Sequence, residues 1–358
     1  MRKLVKKFSL RKPNHHTFRG VPISGECGKM RYRVWMGIGV ILWMVAGCSL
    51  PGVLPSDKET GGEWETQGVN PLTGEVMEQR GAGRPWMVMV NNHAQARPQS
   101  GLDRADLVAE VLAEGEITRF AAFYYGAREG VVGPVRSVRP YFLDLARGPQ
   151  AVVTHAGGSP KALDRIRKEG LSSLDGIHGD SHWFRRVNFR PPPHNLYTDL
   201  EQLWKGSAQK GYGESSVESP YIFSRKEPGE GRAASRIDLR YHRLYRVGYR
   251  YDPETGRYVR YTQGEKQVDR ETETPLVMDN VLVIRAPHRV IDSSGRREVG
   301  ITDGGEGVLF RGGKAWPLRW EYRQGWILPL IDGKPAPLAP GKTWINVLPV
   351  DGGLKYGK

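Results

Sequence analysis

Apolar residues in this chain fall into one continuous run near the start and a series of short segments beyond it. The continuous run is Val34–Cys48, Val-Trp-Met-Gly-Ile-Gly-Val-Ile-Leu-Trp-Met-Val-Ala-Gly-Cys, and it has no polar face. It falls short of the roughly 20 apolar residues a membrane-spanning helix needs. Further on, Pro85–Asn91 is an apolar run between breakers and predicts a buried strand. Ser100 can cap a helix through about Ala113, with Leu107, Val108, Val111 and Leu112 on one face. Ile117–Tyr125 is β-branched and aromatic and predicts a second strand. Pro140 suits the start of a short helix over Tyr141–Ala146. Ala151–His155 predicts a third strand, followed by Gly157-Gly158-Ser159-Pro160 and a helix to about Lys168. Strands alternating with helices predict an α/β N-terminal lobe, a mixed sheet layered with helices.

From Ala208 to Ala234 the chain turns polar and rich in Gly, Ser and Glu, which makes this stretch the best internal boundary. Beyond it the pattern is that of strands. Tyr249–Tyr251 and Tyr258–Tyr261 flank Asp252-Pro253-Glu254-Thr255-Gly256, a hairpin signal. Val281–Ile284, Val299–Ile301, Val308–Phe310, Trp316–Trp320, Trp326–Leu330 and Thr343–Val347 follow as short strands between Gly-containing turns. They predict a smaller, mostly antiparallel β C-terminal lobe. The expected organisation is a signal region over 1–47, a flexible tether over 48–70 and an α/β domain over 71–207. A linker over 208–235 and a β-rich domain over 236–352 complete it. About 20 polar tether residues would span roughly 25 Å as a coil.

The apolar run carries further information at its ends. Arg31 and Arg33 precede it, and Val45-Ala46-Gly47-Cys48 closes it. A basic region, a short apolar stretch and small residues before a cleavage point mark a secretory signal. The closing tetrapeptide resembles the lipobox of bacterial lipoproteins, with Val45 where Leu is usual. That resemblance implies lipidation at Cys48, a mature chain beginning there, and a body tethered to the outer face of the cytoplasmic membrane. Met30 would open this signal naturally, so residues 1–29 read as a mis-called start. This placement changes the meaning of the charge. The chain is +14 overall, but residues 1–47 hold ten Lys/Arg and one Glu; the remaining 311 residues carry 43 basic and 38 acidic groups, a net of +5. No nucleic-acid partner is expected on that balance, whereas modest attraction to an anionic membrane or wall polymer is. Cys48 is the only cysteine beyond the signal, so an internal disulfide is excluded.

Asn91-Asn92-His93, Ala96–Leu102, Glu114–Phe120, Gly133–Pro140, His155–Ser159, Pro193–Tyr197 and Gly341–Ile345, in that order, resemble the YerB-like lipoproteins. These carry paired domains of unknown function called DUF3048. The resemblance covers about residues 71–350. It implies an α/β N-terminal domain with a separate C-terminal one, and no established activity.

Chemistry concentrates where predicted strands end. Asn92, Arg97, Arg119, Arg136, Arg139, Gly157, Gly158, Ser159, His194 and Asn195 are the candidate ligand-binding set. In open α/β sheets ligands bind at the carboxyl ends of strands, and guanidinium groups bind carboxylate or phosphate through paired hydrogen bonds. An anionic ligand, or an envelope partner protein, fits such a set. The alternative is an internal ion-pair network, with Glu110, Glu114, Asp103 and Asp144 satisfying the four arginines. The Gly-Gly-Ser turn could cradle an anion on backbone N–H groups, or serve only as a tight turn capped by Ser159. His155, His194 and Glu114 are the candidate acid–base groups of an alternative envelope-processing enzyme. Asp175, His178, Asp180 and His182 cluster in a Gly-containing loop, where a solvated loop outweighs zinc binding. Trp316, Trp320, Trp326 and Trp344 could stack on sugar rings, although aromatics in short strands belong more often to the core. No metal and no cofactor is expected.

Overall fold

A computed structural model describes residues 68–77, 83–213 and 215–358; the signal region, Cys48 and the tether through residue 67 lie outside the described residues. In chain order the elements used below are β1 (Trp86–Asn91), β2 (Leu107–Leu112), β3 (Thr118–Tyr124), α1 (Pro140–Arg147), β4 (Val152–His155), α2 (Pro160–Lys168), β5 (Ser173–Asp175) and α3 (Leu200–Gln209). They continue as β6 (Arg236–His242), β7 (Tyr245–Asp252), β8 (Arg257–Thr262), β9 (Asn280–Ala286), β10 (Gly305–Arg311), β11 (Lys314–Arg323), β12 (Trp326–Ile331), β13 (Thr343–Pro349) and β14 (Gly353–Gly357). The described chain is mostly strand, in mixed and antiparallel sheets.

One long sheet runs through both halves of the sequence, in the order β12-β11-β10-β9-β13-β2-β3-β1-β4-β5. Its seam is β13, which pairs in parallel with β9 on one side and with β2 on the other. Strands β9 to β13 therefore do not make a sheet of their own, as the C-terminal-lobe expectation had it. They extend the sheet that the first half begins. A second, antiparallel sheet, ordered β8-β7-β6-β14, covers one face. Helices α1 and α2 cover the other. The expected α/β layering of the first half reduces to these few helices, because β1, β2 and β3 are antiparallel neighbours and only β4 and β5 continue parallel to β1.

The alternation of side chains explains the layering. Met87 and Met89 of β1, Ala109 and Val111 of β2, and Ile345 and Val347 of β13 face the helices, where they meet Phe142 and Leu143. Trp86, Val88, Val90, Val108, Leu112, Trp344 and Leu348 line the opposite face, in one core with Ile237, Leu239, Val247, Tyr249 and Tyr258 of the second sheet; Trp86 there packs on α3, donating to Ser207 at 3.0 Å and meeting Trp204 edge-on. Trp316, Trp320, Trp326 and Trp344 are all buried, so none of them is offered to a sugar.

Several expectations change. The helix drawn from Ser100 is absent: Leu102–Arg104 makes one 3-10 turn, and Leu107–Leu112 is strand β2. A strand buried on both faces is apolar at successive positions, and a short run of that kind also fits a helix face. The end of the expected tether is folded in, since Asn70 is buried and its Nδ2 donates to Asp106 Oδ1 at 2.9 Å. The expected linker packs as well: Ser224 and Arg225 carbonyls accept from Arg311 at 2.9 and 3.2 Å, and Arg232–Ala233 pairs with β11.

Glu110 of β2 and Asn346 of β13 are opposite one another and point into the layer between the sheets. There Arg260 of β8 donates to Glu110 Oε2 at 2.5 Å, with both side chains fully buried. Glu110 Oε1 accepts from Tyr245 and Thr118, each at 2.8 Å. Arg260 also reaches Thr262 at 2.5 Å and lies over the Trp344 ring at 4.7 Å. Tyr241 and Tyr249 hydroxyls donate to Asn346 Oδ1 at 3.2 and 3.0 Å. The two sheets are thus pinned at one fully desolvated ion pair.

Removing one partner of such a pair strands the other charge and costs about 3–5 kcal/mol. Urea unfolding of Glu110→Leu is expected to show a loss of that size, with Glu110→Leu/Arg260→Met less destabilised than the single variant. A loss below about 1 kcal/mol would remove the pair from this role. A second expectation concerns pH. Burial, with Arg297 nearby, lowers the His288 pKa to about 4, although Ala286 and Asp351 oppose the shift. The folded protein therefore holds this ring neutral; its contribution is complete above pH 6.5 and is lost as pH falls from 6.5 to 4. At most about 3 kcal/mol is at stake. Thermal unfolding from pH 7 to pH 4 should show a smaller loss for His288→Gln, and equal losses would contradict this.

Candidate functional site

Parallel strands β1, β4 and β5 end side by side at Asn91, His155 and Asp175. Antiparallel β3 sets Arg119 directly opposite Asn91. The segment 133–139 is stitched across these ends. Asn91 N donates to Pro134 O at 2.9 Å, Arg136 N to Met89 O at 2.8 Å, Ala156 N to Arg136 O at 3.0 Å and Val138 N to Gly157 O at 3.0 Å. This stitching holds Arg136 and Arg139 at the sheet edge.

Glu114 organises the charges there. Arg119 NH2 reaches its Oε2 at 2.8 Å, and Arg139 pairs with its Oε1. Burial raises the Glu114 pKa, and the two guanidiniums more than offset this, so the carboxyl sits below its ordinary value. Arg119 also donates to Ser137 O and Arg139 to Val138 O. Arg136 differs from both. Its charged neighbours are Glu114, Arg139 and His194, yet among the described residues its side chain makes no hydrogen bond or ion pair. Its Nε is buried without a partner, as is that of Arg139. Burial, with Arg139 beside it, lowers the Arg136 pKa, and Glu114 opposes the shift; a guanidinium remains charged regardless. Three cations therefore face one carboxylate.

The histidines are arranged by Asn91. Its Oδ1 accepts from His93 N at 3.0 Å and its Nδ2 lies 2.8 Å from His194 Nδ1. The amide is the donor, so the His194 proton rests on Nε2. The two rings stack at 4.7 Å with 18° between planes. Burial, then His93, Arg136 and Arg190, lower the His194 pKa and keep the ring neutral. His155 is also neutral, since burial outweighs Asp175; its Nδ1–H donates to Gly157 O at 2.9 Å.

The structure divides the sequence-derived candidates. Arg119, Arg136 and Arg139 come together around Glu114, and His194 lies beside Arg136. Asn92 and Arg97 do not join them. Asn92 is 1% exposed and donates to Thr118 at 2.7 Å and Tyr245 at 2.5 Å, and Arg97 Nε donates to Asn92 Oδ1 at 3.0 Å. Both belong to the interior network around Glu110. Asn195 joins Arg186 at 2.8 Å and donates to Val187 O at 3.3 Å.

Gly157, Gly158 and Ser159 make a turn in which the Gly157 and Ser159 N–H groups are already used. Gly157 N donates to Asp175 Oδ1 at 2.8 Å, Ser159 N to Val138 O at 3.3 Å, and Ser159 Oγ caps α2 through Ala162 N at 3.3 Å. Gly157 adopts φ +62°, which favours glycine. At Gly158 a Cβ would lie 3.0 Å from both Val138 and Leu163, so packing favours glycine at the second position of this turn. Asp175 is spent on Gly157 N, Ile177 N at 2.9 Å and His178 Nδ1 at 2.9 Å. Glu114, clamped and ionised, is a poor general acid. Asn91 was not among the sequence candidates, although its place as the last residue of a predicted strand was a usable signal.

The comparisons agree with this architecture. Residues 72–213 match the family model described as "Protein of unknown function (DUF3048) N-terminal domain", and residues 237–345 match its C-terminal counterpart. The chain is 40% identical over 283 residues to a Bacillus subtilis protein described as "Putative lipoprotein YerB", spanning 78% of this chain and 86% of that one. The crystal structure of the Bacillus subtilis YerB protein superposes with a TM-score of 0.74 at 38% identity, covering 80% of this chain and 99% of that one. With both domain models matched in order and such a relative over most of its length, the chain belongs to the DUF3048 family of YerB-like lipoproteins.

Proposed function

We propose that the protein is a lipid-anchored binding protein of the cell envelope, held at Cys48 to the outer face of the cytoplasmic membrane. Its Arg136 site captures an anionic group, a carboxylate or a phosphate, carried by an envelope ligand or partner protein. The observation that carries this reading is the half-buried Arg136 guanidinium with no acceptor of its own among the described residues, set beside Arg119 and Arg139 at the carboxyl ends of three parallel strands. A guanidinium deprived of hydrogen bonds is costly, and a bound oxyanion supplies them in pairs. Glu114 fixes the other two arginines without neutralising the cluster. The neutral His194 adds an Nε2–H donor at the same edge. The family's lipoprotein relative and the Val45–Cys48 tetrapeptide support the anchor.

Titration with inorganic phosphate and with acetate, read from arginine Nε–H resonances, tests the site. Arg136 and Arg139 signals are expected to move, and Arg136→Ala is expected to lose about tenfold or more in affinity. Its unfolding free energy should stay within about 0.5 kcal/mol, because the side chain supports nothing else. Titrations unchanged by Arg136→Ala would reject the site. The anchor is tested by membrane fractionation and intact mass in a bacterial host. The expected result is a lipidated chain beginning at Cys48, lost in Cys48→Ala; an unprocessed wild-type chain would reject the anchor.

A further inference from the structure

The outward face of the antiparallel sheet has a charge pattern that internal packing does not account for. Along β6, Ile237, Leu239 and Tyr241 point inward and are buried, which turns Arg236, Asp238 and Arg240 outward. Along β7, Tyr245, Val247 and Tyr249 point inward, which turns Arg246, Gly248 and Arg250 outward. The register then sets Arg236 opposite Arg250, Asp238 opposite Gly248, and Arg240 opposite Arg246. Like charges directly opposite each other destabilise a sheet.

The first arginine pair is relieved. Asp238 accepts from Arg236 Nε at 2.7 Å and from Arg250 NH2 at 2.9 Å. The second pair is not. Among the described residues, neither Arg240 nor Arg246 forms a salt bridge, and Arg243 in the following turn and Lys355 of β14 form none either. Six basic side chains line this face, against one acidic residue, Asp238.

The floor is shaped for them. A Cβ at Gly353 would come within 3.1 Å of Arg240 Cβ and 3.2 Å of its Nε, so Arg240 lies flat across β14. A Cβ at Gly248 would come within 3.2 Å of an Arg250 guanidinium nitrogen. Arg250 also covers the Tyr261 ring at 5.7 Å. The result is a groove of about 1120 Å³ that follows the strands.

We propose that this groove is a second binding site, separate from the Arg136 site, and that it lays a linear phosphodiester polymer along Arg236/Arg250, Arg240/Arg246 and Arg243. The two arginine rows are four residues apart, about 13 Å along a strand. A chain carrying a charge at each repeat meets both rows at once, with Lys355 beside the intervening Asp238. Guanidinium forks bind phosphate oxygens in pairs. A polymer strand enters a groove whose floor a flat lipid surface does not reach. The cross-strand repulsion that the fold tolerates at Arg240 and Arg246 is relieved when a phosphate bridges them.

The test uses the full chain carrying Cys48→Ser, with a synthetic glycerol-phosphate oligomer as probe. The oligomer is expected to bind, and Arg240→Ser/Arg246→Ser is expected to weaken it about tenfold or more. The slope of log affinity against log salt should fall by about 1 to 1.5 in that variant. Arg136→Ala should leave oligomer binding unchanged, which keeps a failure here distinct from a failure of the Arg136 site. The double variant should melt at the same temperature as the parent or higher, because it removes a like-charge pair. A lower melting temperature would make these arginines structural and overturn the proposal. Oligomer affinity unchanged in the double variant would also overturn it. So would binding to phosphatidylglycerol vesicles that depends on Arg240 and Arg246 while the oligomer does not bind.

Discussion

The buried ion pair between Glu110 and Arg260 is the interaction on which the rest of this molecule depends. Taking two charges fully out of water is expensive, and attraction repays the cost only where geometry is good and the remaining hydrogen-bonding capacity is filled. Here partners come from both halves of the sequence, Thr118 from the first half and Tyr245 and Thr262 from the second, and only Arg260 Nε among the pair's own polar atoms is left without one. Arg260, Tyr245 and Thr262 reach Glu110 and its partners only from the antiparallel sheet, once that sheet is docked on the long one. The network therefore selects one docking of the antiparallel sheet on the long sheet, where apolar contacts alone would allow the layers to slide. Strand β13 imposes the same requirement along the other axis, because it supplies the neighbour of both β2 and β9.

That constraint places the candidate site. Asn92 is tied to the network through Thr118 and Tyr245, and its neighbour Asn91 aims the two histidine rings. Gln99 links the network to the same loop, donating to Asn91 O at 2.9 Å and accepting from Gln267 at 3.0 Å. The edge carrying Arg119, Arg136 and Arg139 is thus backed by a rigid interior, which suits recognition by preplaced donors. The Glu114 clamp then leaves Arg136 as the guanidinium of the three with no acceptor at all among the described residues.

What the sequence makes legible follows from how local each signal is. Strands β1, β3 and β4 and helices α1 and α2 carry their own markers: breakers at their ends, β-branched or aromatic runs, and Pro at a helix start. Ser159 caps α2 where its position predicts. Strand β2 misleads, because burial on both faces erases the alternation that identifies a strand. The sharing of one sheet between the halves is invisible for a different reason: the pairing of Ile345 with Ala109 spans more than two hundred residues and leaves no mark in either segment. Among the four arginines, residue type alone cannot separate Arg97, absorbed into the interior, from Arg136, left without an acceptor. Arg260 did leave a signal, since it alternates in phase with Tyr258 and Thr262 on an inward-facing strand. An inward-phase arginine demands a buried acid, and Glu110 supplies it.

The two halves fold as one body through β13 and the buried pair. Native-state hydrogen exchange resolves this strand by strand. Amides of β2, β9 and β13 should exchange with a common free energy equal to that of global unfolding. If β9 and β13 instead exchanged through a lower-energy opening that left β1, β2 and β3 protected, the halves would be separable units and the account would fail.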